Sequence, residues 1–318
     1  MLEVLYCFDQ NYNKQAFTSI YSLLEKSSEQ LNINIIHKIY NDKSFLPNKI
    51  LKHKNLNKIR VFKFKNNEYM FPNIEGTHVS EATYYRIFLE DYLPEGIQSV
   101  VYLDADIVCV NDPLKGLKTE IQNLRNTQYL IACKTEHLKP DNKELFQRLK
   151  LKKNKYFNAG FMIIDLNKWK EYSTKERLLE KLDKEYKNLE FWDQDLLNIY
   201  FDGEFLDLDE KFNCVIDLAF YEYNNYLLTT EEIVLSKYFI HYAGSHKPWN
   251  INGILCNLSE IYQQNYRNLT EVDYHISHKM KRLSLYYFIK SIINLSFFKT
   301  AHPASLLKLF IQSLLIKK

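Results

Sequence analysis

The chain has 318 residues, 46% of them hydrophobic and 25% charged, a globular composition that excludes disordered, collagenous and disulfide-stapled classes. Lys and Arg number 42 against 39 Asp and Glu, a net charge of +3, so small an excess that no nucleic-acid partner is expected. Only seven residues are glycine, and neither GxGxxG nor GxxxxGK[ST] occurs, which removes glycine-rich phosphate loops from consideration.

The opening run Leu2 to Phe8 reads as a first strand rather than a leader, because no basic region precedes it and Asp9 ends it early. Phe17, Ile20, Tyr21 and Leu24 then recur at helical spacing, and strands are expected at Ile33 to Tyr40, Ile59 to Phe64, Val100 to Val110 and Tyr129 to Cys133. Ile87 and Phe88 open a further helical stretch toward Leu93. Asp112 and Pro113 suit an N-cap and first helical position. A short strand at Phe161 to Leu166, helices around Tyr172 to Tyr186 and Asp193 to Tyr200, and an apolar segment at Tyr238 to Tyr242 follow. Alternating strand and helix implies an α/β layer on a mostly parallel sheet, where ligands bind at the carboxyl ends of strands. Without an internal repeat or a Pro/Gly/Ser linker, residues 1–273 read as one domain. The five cysteines, Cys7, Cys109, Cys133, Cys214 and Cys256, form no CxxC pair, which suits a reduced, cytoplasmic chain without a thiolate zinc site.

Residues 274–318 differ. They hold eight Lys or Arg and no Asp or Glu, leaving 34 basic against 39 acidic residues in the part before them. Leu285, Phe288, Ile289, Ile292 and Ile293 lie at i, i+3, i+4, i+7, i+8, and so do Leu307, Phe310, Ile311, Leu314 and Leu315. Lys290 and Lys308 interrupt both runs short of the roughly 18 to 20 residues that span a bilayer. A basic amphipathic tail of this kind is expected to lie on a membrane surface, with a helical hairpin packed on the domain as the competing reading.

Two runs carry chemistry. In Ser99-Val-Val-Tyr-Leu-Asp104-Ala-Asp106-Ile-Val-Cys-Val the acids interrupt an apolar strand, and strand alternation points both to one face, where a divalent cation relieves their repulsion. In His241-Tyr-Ala-Gly244-Ser-His-Lys247-Pro-Trp249 the histidine offers a nitrogen ligand that suits manganese beside carboxylates, Gly244 admits an anion close to the backbone, and Lys247 brings positive charge.

Together these motifs resemble glycosyltransferase family 8, the group of bacterial lipopolysaccharide α-galactosyl- and α-glucosyltransferases and glycogenin. Further blocks fit in order: Asp9-Gln-Asn11-Tyr12, Ser80-Glu-Ala-Thr83-Tyr-Tyr85-Arg86, Tyr156-Phe-Asn158-Ala-Gly160 and Trp192-Asp193-Gln194-Asp195. The resemblance implies a GT-A fold and retaining transfer of a galactose or glucose from a UDP-sugar, with Mn2+ or Mg2+. It implies Asp104, Asp106 and His241 as metal ligands and Gly244 and Lys247 on the diphosphate. Asp9 and Asn11 would lie near the uridine, and Arg86, Asp104, Asn158, Asp193 and Gln194 around the donor sugar. Gln194, Asp193 and Arg86 form the candidate catalytic group. Gln194 is a poor nucleophile, and the acids beside it diverge on a helix, which favours front-side attack over a covalent glycosyl-enzyme. Thr135 stands where many relatives carry an aspartate. A growing surface glycan or glycolipid is the expected acceptor, at the inner face of the cell membrane; a protein acceptor or a noncatalytic sugar-nucleotide binder is the alternative. The run around Asp104 also fits the opening of haloacid-dehalogenase phosphatases, but no Gly-Asp pair follows to complete that site.

Overall fold

A computed structural model describes residues 1–65, 69, 71, 80–136, 143–221, 230–276 and 282–315. Among the described residues ten strands are formed: β1 (Glu3–Phe8), β2 (Leu31–His37), β3 (Leu56–Lys63), β4 (Ser99–Leu103), β5 (Ile107–Cys109), β6 (Ile131–Thr135), β7 (Phe157–Asp165), β8 (Leu206–Asp207), β9 (Cys214–Ile216) and β10 (Phe239–Tyr242). The larger sheet has the order β3-β2-β1-β4-β7-β6-β8 and the smaller β5-β10-β9. All pairs in the large sheet are parallel except those of β7 with β4 and β6. The expected α/β layer with a mostly parallel sheet is therefore present.

Period-two alternation sorts β1 onto both faces. Val4, Tyr6 and Phe8 join Ile20 and Leu24 of α1 (Asn13–Lys26) in one core, while Leu5 and Cys7 meet Tyr84, Tyr85 and Ile87 of the 3-10 segment Glu81–Phe88 in the other. Helix α2 (Leu114–Arg125) begins one residue later than the sequence suggests, yet Asp112 Oδ1 still accepts the N–H of Leu114 at 3.2 Å. The next long elements are the helix Thr174–Glu185 and α3 (Trp192–Phe201), followed by α4 (Ser259–Thr270).

The expected strand from Val100 to Val110 is in fact two strands in different sheets. β4 ends at Leu103, a turn closed by Ile107 N–H on Asp104 O at 3.3 Å carries Asp104 to Asp106, and β5 continues in the small sheet. The two acids thus come together at a junction between sheets rather than by strand alternation. Similarly, β7 is nine residues long and buried throughout, so the strand expected from Phe161 to Leu166 starts at Phe157 and takes in Asn158-Ala-Gly160. Because β7 runs antiparallel to β4, with Leu103 paired to Phe161, its first residues sit at the carboxyl end of β4.

The last two helices, α5 (Arg282–Ile293) and α6 (Pro303–Leu315), are linked through the 3-10 turn Ser296–Lys299. Phe288 and Phe310 stack at 3.5 Å between centroids, and with Phe297 and Leu306 they pack on Ile251, Ile254, Tyr274 and Ile276. The apolar arc is wider than this cover: Leu285, Ile289, Ile292, Ile293, Leu307 and Ile311 are exposed. No helix among the described residues is long and apolar enough to cross a membrane.

Candidate active site

A cavity of about 820 Å³ opens where the carboxyl ends of β1, β4 and β6 meet the start of β7 and the end of β10; Asp104, Asp106, Arg86, Asn158, Asp193, Gln194, His241, Gly244 and Lys247 all line it. Asp9 and Asn11 stand beside its wall. Asp9 is buried and accepts the Asn11 N–H at 2.8 Å, while their neighbours Phe8 and Tyr12 face the cavity.

Asp104, Asp106 and His241 bring one ligand atom each to within 4.8 Å of one another. Their hydrogen bonds fix what each atom can do. Gly160 N–H donates to Asn158 Oδ1 at 3.0 Å, so the Asn158 amide nitrogen must point the other way, to Glu136 Oε1 at 2.9 Å. Asn213 Nδ2 donates to the same Asn158 oxygen at 3.0 Å, which leaves Asn213 Oδ1 to accept from His241 Nδ1 at 3.1 Å. A neutral His241 therefore carries its proton on Nδ1 and presents a bare Nε2 lone pair, 3.3 Å from Asp106 Oδ1. That oxygen is buried and takes no hydrogen bond among the described residues. Two acceptors facing each other repel unless a proton or a cation lies between them, and this donor set of two carboxylates and an imidazole fits a divalent ion.

Lys247 Nζ donates to Asp106 Oδ2 at 2.8 Å and to Tyr242 O at 2.5 Å. Burial alone would push the Asp106 carboxyl up; the Lys247 ammonium outweighs it and holds it well below the usual carboxylate range. Gly244 turns the following loop with φ +75°, a left-handed conformation that glycine adopts without a Cβ penalty. Gly160 is needed for space, since a Cβ there would stand 2.3 Å from His241 Cε1.

Arg86 is a buried hub in the cavity wall. Its Nη2 donates to Asp104 Oδ1 at 3.1 Å, its Nε lies 2.9 Å from Asp193 Oδ2 and 3.0 Å from Thr83 O, and its Nη1 donates to Ala159 O. Asp104 Oδ1 also accepts from Tyr102 at 2.5 Å, and the guanidinium stacks over that ring at 4.1 Å. Burial pushes the Asp193 carboxyl up to about 7, since Arg86 opposes it with a charge shared with Asp104. Glu90 does not compete for Arg86; it pairs with Lys175.

Gln194 Oε1 accepts the Ala159 N–H at 3.0 Å and its Nε2 donates to Tyr156 at 3.1 Å. Its neighbours diverge as helical spacing requires. Asp195 is buried away from Asp193 and accepts from Tyr156, Arg148 and the N–H groups of Glu190 and Phe191, so it is committed to holding the α3 N-terminus. Thr135 does not line the cavity, but Glu136 one residue on does, facing Gln194 with its carboxyl pKa raised by burial. Glu136, Asn213 and Arg148 are absent from the sequence reading. The Cys133-Lys-Thr-Glu136 run contained the first of these; nothing local marks Asn213.

The sequence profile of Glycosyl transferase family 8 matches residues 3–253. The chain belongs to this family. The lipopolysaccharide 1,2-glucosyltransferase of Escherichia coli K12 is 30% identical over 258 residues, covering 78% of this chain and 73% of the relative. The lipopolysaccharide 1,3-galactosyltransferase of Salmonella typhimurium is 30% identical over 174 residues, 53% of this chain and 49% of the relative. Among solved structures, the galactosyltransferase LgtC with donor and acceptor sugar analogues superimposes with TM-score 0.70 at 18% identity, over 90% of this chain and all of LgtC. The family 8 chain has the GT-A fold and is a retaining glycosyltransferase.

Proposed function

We propose that the chain moves a glucose or galactose from a UDP-sugar to a growing surface glycan of the lipopolysaccharide type, with Mn2+ or Mg2+ at Asp104, Asp106 and His241. The observation that carries this reading is the bare His241 Nε2 facing the unbonded Asp106 Oδ1 within one cavity with Lys247. A divalent cation there supplies charge neutralisation and Lewis acidity toward the donor diphosphate. Lys247 leaves Asp106 for the diphosphate and stabilises the charge that grows as the glycosidic bond breaks, while Gly244 lets the backbone approach it. Asp9 and Asn11 serve the uridine end, and Arg86, Asp104, Asn158 and Asp193 orient the hexose.

The C1–O bond to the diphosphate breaks, the acceptor oxygen attacks C1 from the same face, and its proton passes to the departing phosphate oxygen. Gln194 supports the developing positive charge through its amide oxygen. Front-side attack suits a cavity where Asp193 is held by Arg86 and Asp195 is fully engaged. Glu136 supplies the carboxylate that Thr135 lacks, placed to orient a hydroxyl of donor or acceptor. The relatives' acceptors, the exposed apolar positions of α5 and α6, and the exposed Lys290 of α5, Lys299 of the turn between them and Lys308 of α6, support docking on the inner face of the cell membrane. Lys279, Lys281, Lys317 and Lys318 lie outside the described residues.

A panel of UDP-sugars assayed with Mn2+ for UDP release and acceptor-linked product tests the reading. One hexose donor is expected to turn over, and turnover is expected to fall at least 100-fold in Asp106→Asn.

A further inference from the structure

We infer that the α5–α6 hairpin is a working part of the donor site, a brace that positions Lys247, and not a separable anchor. The proposal rests on the reading of Gly244 and Lys247 as diphosphate ligands and adds what controls them. The loop from Gly244 to Trp249 leaves the small sheet after β10 and returns to the fold through the short helix Ile251–Ile254. That helix is pressed against the loop. Asn250 donates its N–H to Lys247 O at 2.9 Å and its side-chain amide to Ser245 O at 3.2 Å. A Cβ on Gly253 would stand 2.0 Å from Lys247 O, so no gap separates the helix from the Lys247 backbone, and any shift of one moves the other.

What holds the helix Ile251–Ile254 in turn is the tail. Ile251 and Ile254 are buried in a cluster whose other buried members, Tyr274, Ile276, Phe288, Phe297, Leu306 and Phe310, all come from beyond residue 273. A second contact reaches the loop directly: the Tyr287 ring of α5 meets His246 edge-on at 6.2 Å. A third comes from the segment joining domain and hairpin, where His275 stacks on Trp249 at 6.0 Å and Gln263 ties His275 to Pro248 O. Removing the brace leaves two isoleucines uncovered and the Lys247 loop supported from one side only. The outer faces of the same helices carry Leu285, Ile289, Ile292, Ile293 and Ile311 in the open, so a lipid surface that engages them acts on the element that sets Lys247.

The test uses the full chain. UDP affinity in saturating Mn2+ is measured by calorimetry for wild type, Phe310→Ala, Tyr287→Ala and the outer-face control Ile293→Ser, with circular dichroism confirming folding and KM measured for donor and acceptor separately. The brace predicts UDP affinity and donor KM weakened about 5- to 50-fold in Phe310→Ala and less in Tyr287→Ala, with acceptor KM and Mn2+ affinity unchanged, and an unaltered Ile293→Ser. Folded Phe310→Ala and Tyr287→Ala proteins that both bind UDP like wild type overturn it. A wild type that binds no UDP defeats the diphosphate reading instead. Sedimentation with phosphatidylglycerol vesicles reads out membrane docking independently: loss of binding in Ile293→Ser supports it, and the brace is decided without it.

Discussion

Asn213 Oδ1 accepts the Nδ1 proton of His241 at 3.1 Å, and the sense of that bond is dictated two residues away by the backbone N–H of Gly160 through Asn158. The nitrogen of His241 that faces Asp106 is thereby left bare by a peptide group that cannot reverse. Partners of this kind typically contribute 10- to 100-fold to metal affinity. Asn213→Leu is expected to weaken Mn2+ binding by about that factor, read by electron paramagnetic resonance of free Mn2+. Asn213→Asp keeps an acceptor for Nδ1 and is expected to lose much less. Equal affinities in Asn213→Leu and wild type would contradict the assignment.

On the proposed function, Lys247 and the cation compete for Asp106. Lys247→Met removes the ammonium from Asp106 Oδ2, so Mn2+ affinity without nucleotide is expected to stay level or rise. Affinity for UDP in saturating Mn2+ is expected to fall at least 10-fold, because one charge-assisted contact to phosphate is lost. Calorimetric titrations of each ligand separate the two effects; a parallel fall in both would mean that Lys247 only supports the fold.

Arg86 is buried among Asp104, Asp193 and two backbone carbonyls. Arg86→Ala leaves Asp193 buried without its cation, at a cost of about 3–5 kcal/mol in stability. Arg86→Lys keeps the charge but not the planar fork that serves four acceptors, so an intermediate loss is expected in urea denaturation, together with a raised donor KM. A lysine variant as stable and active as wild type would remove Arg86 from the sugar site.

His37 gives the fold an acid limit. Its Nδ1 accepts the N–H groups of Ile39 and Tyr40, and Nε2 donates to Asn13; burial pulls its pKa down to about 4. The unfolded imidazole, near about 6.5, takes up a proton first, so this contribution to stability is complete above that value and is lost as pH falls toward 4. The urea midpoint is expected to drop between those pH values in wild type, and His37→Gln is expected to lower the midpoint at neutral pH and flatten that slope. An unchanged slope would assign the acid sensitivity elsewhere.

Much of the site was legible because its residues sit in local runs. Asp104 to Asp106 and His241 to Trp249 are each read within one segment, and their chemistry needs no partner to be suspected. The break between β4 and β5 was not legible, since Val100 to Val110 is uniformly apolar around the acids and only the pairing of β5 with β10 pulls it into another sheet. The strand expected from Phe161 to Leu166 is too short because nothing local shows that β7 inserts antiparallel between β4 and β6, or that Gly160 clears space for His241. Glu136 was passed over one residue beyond Thr135, and Asn213 gains meaning only from neighbours brought by other strands. The tail showed its apolar arcs but not their division into a packed face through Phe288 and Phe310 and an open one.

The central claim is that Asp104, Asp106 and His241 hold a cation on which UDP-sugar chemistry depends. Initial rates of hexose transfer from UDP-glucose and UDP-galactose, with Mn2+ and then with excess chelator, test it most directly. The account predicts transfer from one of the two donors, lost on chelation, restored by Mn2+ in wild type and not in Asp106→Asn. Transfer that persists through chelation, or an Asp106→Asn enzyme as active as wild type, would contradict it.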